Sequence, residues 1–417
     1  MQLRFLSGRS QACVSLILGL SDNLRVMFSA RYLYLLGRAG ATFASLTLAL
    51  VYSRDLGVVN RSSISVIMST NALLWVVLTS GATLTIRKIG WKNAGNGVIR
   101  SFNSVIAGQF TVIILIYLVV INLYSQIKNP IALNLMILSL FYVTASGFHL
   151  ILMELLISAE RFKSAGILEI LTVVSQLTLY ISGSYIYDLS TTARLLLAFS
   201  FSYLLVSTVA LYLILKTKKF TFGLSSPWEF LQRSRYNHVL GASLGFLDRI
   251  DRLLVGFLLA APILGKYAVA TSLITLLRFF PDGVSKLIMA KKVTLKRFIL
   301  IRRELVVISG ILLSVFVISF SREVVNFWLG PEWVLGISIY AAIAMQELSR
   351  GLFQIVANQN ILNDSARAVH RAAIFVPILA VLSAIIGLNL FGIIAVPGAF
   401  CASYLTGIVV MRRRYVS

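Results

Sequence analysis

A chain of 417 residues with 58% hydrophobic residues, 13% charged residues and a mean hydropathy of +0.88 lies outside the composition of soluble globular domains. Its formal net charge of +23 would suggest a nucleic-acid binder if the chain were soluble. Here the Lys and Arg are dispersed among short connections between apolar runs and form no single face, so no nucleic-acid partner is expected.

In chain order, residues 1–31 read as a cytoplasmic N-terminal segment, since the apolar run from Ala12 to Leu20 is too short to span a bilayer. A spanning helix needs roughly 20 apolar residues, and about twelve such stretches follow. They lie at 32–53, 62–86, 101–124, 131–157, 166–187, 194–215, 236–261, 264–286, 303–321, 335–357, 372–390 and 393–411. These runs are too long for barrel strands and lack their strict alternation. The expected fold is therefore all-α: a polytopic membrane protein of about 12 transmembrane helices.

Positive charge fixes the expected orientation. Loops on one side carry Arg54, Arg61, Lys128, Lys266 and Arg322, with Arg194 at a helix edge. Most of the remaining Lys and Arg fall on the other side, including seven between Lys286 and Arg303, a cluster that also suits anionic lipid headgroups. Because basic loops resist translocation, both termini are expected in the cytoplasm.

The pattern of connections occurs twice. Arg54 to Val59 makes a short polar turn into the second span, and Pro262 to Tyr267 makes a similar one into the eighth. The fourth span leaves through Ser158 to Lys163 and the tenth through Asn358 to Arg367, each into a basic connection. Two six-helix bundles, 32–215 and 236–411, are thus expected, joined by a cytoplasmic linker at 216–235 and followed by a tail at 412–417. Six spans per repeat insert with one orientation, giving a pseudo-twofold axis along the membrane normal and a cleft between bundles.

Three runs carry a family resemblance: Leu48 to Val58 (LALVYSRDLGV), Leu156 to Gly166 (LISAERFKSAG) and Leu247 to Ala270 (LDRIDRLLVGFLLAAPILGKYAVA). Together with the turn from Phe327 to Trp333, they resemble the Wzx-like polysaccharide flippases of O-antigen and exopolysaccharide pathways, in the multidrug/oligosaccharidyl-lipid/polysaccharide exporter superfamily. The match departs from the family at Leu56 to Val59, where Leu-Gly-Pro is usual. What the resemblance implies is a non-enzymatic, multi-pass protein of the bacterial inner membrane. It would move a polyprenyl-diphosphate-linked glycan to the outer leaflet by alternating access, with membrane lipid and a polysaccharide polymerase or chain-length machinery as partners.

Charges within spans cost on the order of 2.5–3.5 kcal/mol each on insertion scales, so each needs a reason. Asp248, Arg249, Asp251 and Arg252 fall mid-span; Asp248 and Arg252 have the i,i+4 spacing of a pair. Either they form a neutral cluster that holds helices in register, or they line the cleft as a cation site tuned by carboxylates. Arg278, just before Pro281, is read as unpaired and as the leading diphosphate contact; Arg38 in the opposite bundle either snorkels or shares the same anion. Glu347 and Arg350 are spaced to pair; if they face the cleft, Arg350 joins the diphosphate contacts and Glu347, with Asp248 and Asp251, the coupling or gating groups. Glu154 and Glu169, without an evident partner, either serve gating or proton coupling or are simply hydrated near the interface, and His149 reads as a packing residue. Asn71, Asn103, Gln109, Gln176 and Gln346 suit either the glycan path or bonds between helices. Tyr180, Tyr185 and Tyr187 suit either an interfacial belt or sugar stacking.

Cys13 and Cys401 give no disulfide framework or metal-ligand spacing, and no nucleotide loop or paired catalytic carboxylates occur. No metal, cofactor or ATP-driven step is expected. A multidrug exporter or a peptidoglycan lipid-precursor flippase of the same superfamily is the alternative. A membrane glycan polymerase fits less well, because such enzymes display a large exterior loop and the longest here is about a dozen residues, from Arg322 to Val334.

Overall fold

A computed structural model describes residues 30–90, 94–125, 130–186, 190–216, 223, 225–278, 281–282, 285, 303–362 and 366–412. The N-terminal segment up to residue 29, most of the Lys286–Arg303 cluster, part of the 216–235 linker, Tyr187 and residues 413–417 lie outside them. The described chain is all-α. Its helices are α1 (Ala30–Ile89), α2 (Asn96–Ser125), α3 (Pro130–Ser158), α4 (Phe162–Ile186), α5 (Thr191–Leu215), α6 (Trp228–Leu258), α7 (Ala261–Ile274), α8 (Arg303–Leu329), α9 (Ile337–Leu362), α10 (Ala366–Phe391) and α11 (Ala395–Arg412).

α1 corrects the expected loop between the first two spans. Its 60 residues would stretch about 90 Å if straight, three times the hydrocarbon thickness, so the chain must turn within it. It turns at Gly57 alone, whose φ of 70° and ψ of 169° are open to glycine and costly for other residues. The polar turn therefore shrinks to one residue, and Asp55 and Arg61 belong to helix. Other boundaries follow local chemistry. Ser190 caps α5 by accepting a hydrogen bond from the Ala193 N–H at 3.4 Å, and Pro262 occupies the first turn of α7, where its missing N–H costs nothing.

Among the described residues, six helical stretches, including Asn96–Val119, Asn134–Ser158 and Thr191–Leu215, are long and apolar enough to cross a bilayer. Two of them, Leu33–Val76 and Arg367–Met411, contain a chain reversal, at Gly57 and at Gly392. Large apolar side chains such as Leu115, Val119, Phe316 and Ile386 point outward from mid-helix, as a surface facing hydrocarbon requires. The protein is a multi-pass membrane protein.

Buried apolar residues gather around two centres. Tyr34, Trp75, Ile113, Leu156, Tyr180 and Leu195 belong to cores built mainly from α1–α5, with Phe230 of α6, while Leu247, Tyr267, Tyr340, Phe353, Val376 and Phe400 belong to one built mainly from α6–α11, with Leu46 and Leu50 of α1. α1 and α6 pack extensively against each other along the seam. Gly81 permits this approach, because a Cβ there would collide with the backbone of His238.

Side-chain contacts mark the two ends of the bundle. At the Gly57 end, Asp55 Oδ2 accepts from the Tyr180 hydroxyl at 2.8 Å and from Arg194 at 3.3 Å. At the Lys88 end, Arg87 pairs with Glu154 and Lys88 donates to the Ile361 carbonyl at 3.1 Å, joining the first half to the second.

Candidate functional site

Between the halves lies a cavity of about 530 Å³. Its walls come from α1, α3, α4 and α5 on one side and from α6, α7 and the 3-10 turn Thr275–Arg278 on the other. A neighbouring cavity of about 390 Å³ shares Glu154, Asp248, Arg249 and Arg278 with it and adds Arg87, Asp282 and Arg350. α6 brings Asp248, Arg249 and Arg252 to these walls. That placement explains how a helix with four charges within five residues is accommodated at membrane depth.

The ion pairs differ from those the spacing suggested. Asp248 does not pair with Arg252. It accepts from Arg278 Nη1 at 2.6 Å and from Arg350, while Arg249 Nε stands 3.9 Å away. Glu347, likewise, does not hold Arg350; it accepts from Arg278 at 3.4 Å. Nor is Arg278 unpaired, since its Nε also donates to Asp282 at 3.1 Å. Spacing within a helix shows which residues share a face, but it cannot show which neighbouring helix presents a better-placed partner. The Arg278–Asp282 pair has i,i+4 spacing and was obscured because Pro281 stands between the two.

Arg38 and the two glutamates also find partners. Arg38 donates to Glu169 at 3.5 Å and lies 3.8 Å from Asp282 of the other half, so it meets the Arg278 network through a shared carboxylate. Glu154 is held by Arg87. Asp251 is turned away from the cavity into the core of the second half. Its oxygens accept from the Arg252 N–H at 2.7 Å, the Tyr267 hydroxyl at 3.2 Å and Gln346 at 3.4 Å.

Toward the Gly57 end the balance changes. Arg61, counted in an exterior loop on sequence grounds, is 3% exposed and lines the cavity. Its guanidinium donates to Ser53 at 3.1 Å and Ser65 at 2.8 Å and lies 4.8 Å over the Tyr52 ring. Arg252 has no ion-pair partner among the described residues, and its buried Nε has no hydrogen-bond acceptor. It stands close enough to Arg61 for the two positive charges to act on each other. Arg61, Arg249 and Arg252 thus form a cationic group without a well-placed carboxylate. Two serines placed at i−8 and i+4 around Arg61, across a glycine, were the sequence signal for its inward direction.

The remaining polar candidates divide. Gln176 lines the cavity, and so does His149, whose Nε2 lies 3.4 Å from the Thr172 hydroxyl. Asn71 bonds between helices, donating to Ser139 at 2.7 Å and accepting from Tyr117. Gln346 is engaged with Asp251, Asn103 meets the Gly223 carbonyl at 3.5 Å, and Tyr180 is bound to Asp55. Tyr185 is 86% exposed at the end of α4.

No protein-family model and no curated protein matches the chain. Solved structures do. The eukaryotic MATE transporter AtDTX14 superposes with a TM-score of 0.60 at 14% identity, covering 95% of this chain and 96% of its own. The MATE transporter VcmN of Vibrio cholerae gives 0.61 at 12% identity, with 95% and 98% covered. The lipid II flippase MurJ, in an inward closed conformation, gives 0.60 at 14%, with 90% and 87% covered. At these identities the likeness is one of fold: the chain has the all-α architecture shared by the MATE and MurJ transporters.

Proposed function

We propose that this protein is a flippase that carries a polyprenyl-diphosphate-linked oligosaccharide from the cytoplasmic to the outer leaflet of a bacterial inner membrane by alternating access. The observation that carries this reading is the charge pattern of the cavity. Glu154, Glu169, Asp248 and Asp282 are each held by an arginine, whereas among the described residues Arg61 and Arg252 make no ion-pair contact, Arg252 having only the adjacent Asp251 within electrostatic reach, and Arg249 makes only a distant one. A cation left uncompensated at membrane depth is costly, and a water-filled cavity that receives an anionic ligand relieves that cost. A diphosphate supplies the anion, the glycan occupies the hydrated space, and the polyprenyl tail remains in lipid.

The fold shared with MurJ and the MATE proteins supports transport, and the runs around Leu48, Leu156 and Leu247 favour the Wzx-like branch. The positive-inside distribution supports a cytoplasmic Lys88 end. An exporter of organic cations would need a carboxylate free to receive its cargo, and the carboxylates lining this cavity are already engaged. The polymerase or chain-length machinery of the same pathway is the natural partner to receive the delivered lipid.

Depletion of the protein tests the reading. Lipid-linked surface glycan should become inaccessible to a reagent confined to the outer leaflet, while peptidoglycan synthesis continues. Undiminished outer-leaflet glycan in depleted cells would remove the flippase reading, and arrested peptidoglycan synthesis would transfer it to the wall precursor.

A further inference from the structure

The two walls of the central cavity differ in kind. The second half contributes Asp248, Arg249, Arg252, Ser272, Thr275 and Arg278, which are charged or hydroxyl side chains without a ring. The first half also supplies charge, through Arg38, Arg61, Glu154 and Glu169, but it alone adds rings to the lining: Tyr52, Tyr142, His149, Phe199 and Tyr203. These five rings form one continuous strip. Tyr52 meets Phe199 with centroids 6.3 Å apart, Phe199 meets Tyr142 at 6.4 Å, Tyr142 meets Tyr203 at 6.1 Å, and Tyr203 meets His149 at 5.1 Å. The strip starts at the cationic group, because Arg61 lies over the Tyr52 ring at 4.8 Å.

We propose that this strip is a carbohydrate-binding platform, on which the sugars nearest the diphosphate stack while the anion itself is held by Arg61, Arg249 and Arg252. The inference rests on the flippase reading above and adds to it a role for the rings beside the cations.

The chemistry follows from the shape of a pyranose. Such a ring has C–H groups on its faces and hydroxyls at its rim, so it gains from covering an aromatic face and from polar groups at the edge. The tyrosine hydroxyls, Gln176 and Thr172 provide that edge around the strip. Because Tyr52, Tyr142, Phe199 and His149 are only 6–8% exposed, they are fixed by packing on one side while reaching the cavity on the other. A prearranged surface of this kind loses little side-chain freedom on binding.

The test uses the full chain in lipid nanodiscs and two probes: a polyprenyl diphosphate bearing a short oligosaccharide and the same diphosphate without sugar. Wild-type protein should bind the glycosylated probe about tenfold more tightly. Tyr142→Leu and Tyr203→Leu should bring the two affinities within about twofold of each other by weakening only the glycosylated probe, since bare-diphosphate binding does not involve the strip. Tyr142→Phe and Tyr203→Phe, which keep the rings, should retain most of the preference and show that the leucine variants lost stacking and not fold. Equal binding of both probes by wild type, or an unchanged preference in the leucine variants, would overturn the platform while leaving the flippase reading intact. Binding of neither probe would overturn both. A planar organic cation that binds more tightly than either lipid and loses that affinity in the leucine variants would assign the strip to another ligand and overturn the proposal.

Discussion

Toward the Lys88 end of the cavities, Arg38, Arg87, Arg278 and Arg350 each make an ion pair, whereas toward the Gly57 end Arg61 and Arg252 make none among the described residues, Arg252 having only the adjacent Asp251 within electrostatic reach, and Arg249 lies 3.9 Å from Asp248. All seven are arginines in the membrane-embedded part of one molecule, so residue type alone does not tell the two groups apart. Partners do. A buried pair that loses one member leaves a bare charge and destabilises the fold, while a cation already lacking a partner contributes little to the fold and is available to a ligand. The first group should therefore appear in stability measurements and the second in binding measurements.

Asp248→Ala breaks this contrast most severely. It removes the carboxylate shared by Arg278 and Arg350, and unfolding in detergent should show a loss of about 3–5 kcal/mol. Adding Arg350→Met should recover part of the loss, because one stranded charge is then gone. Recovery of none would mean that Asp248 matters for another reason.

Arg252→Ala should behave in the opposite way. Thermal unfolding should be unchanged, while affinity for a polyprenyl diphosphate should fall by about 1.5–3 kcal/mol, the worth of a hydrogen bond to a charged group. At Arg61, the substitution Arg61→Lys keeps the charge but not the fork that reaches both Ser53 and Ser65. An intermediate loss of affinity is expected, measured in the same titration.

Smaller effects sharpen the comparison at its edges. Gly57→Ala forces a side chain into a backbone conformation that disfavours it, for a cost of about 1–3 kcal/mol in unfolding. At the exposed Gly57 end, Asp55→Asn weakens the Arg194 contact in water-accessible surroundings, and less than about 1 kcal/mol should be lost. A larger loss there would show that the staple between α1 and α4–α5 carries more of the fold's stability than an exposed pair should.

How much was legible in the sequence follows the same division. The all-α fold of membrane-length helices follows from run length and hydropathy, because the bilayer imposes those features locally along the chain. Arg38, Arg249, Arg252 and Arg278 were identifiable because a charge within an apolar run is conspicuous. Their partners were not. Asp248 and Arg278 are 30 residues apart, and Arg350 meets Asp248 across 102, separations at which helix packing, not spacing, decides. Arg61 was missed for a different reason. A reversal that needs one glycine was read as a loop several residues long, which placed its neighbours outside the membrane. The aromatic strip draws rings from three helices, so no window of sequence contains it.

The central claim is that the uncompensated arginines receive an anionic lipid head and hand it across the membrane. Its most direct test is transbilayer movement of a labelled polyprenyl-diphosphate oligosaccharide in proteoliposomes holding the full chain, compared with Arg252→Ala at equal incorporation. Wild-type protein should expose the label to an outside reagent, and the variant should do so at no more than about a tenth of that rate. Equal rates for the two, or no movement with wild-type protein that readily carries an organic cation, would contradict the account.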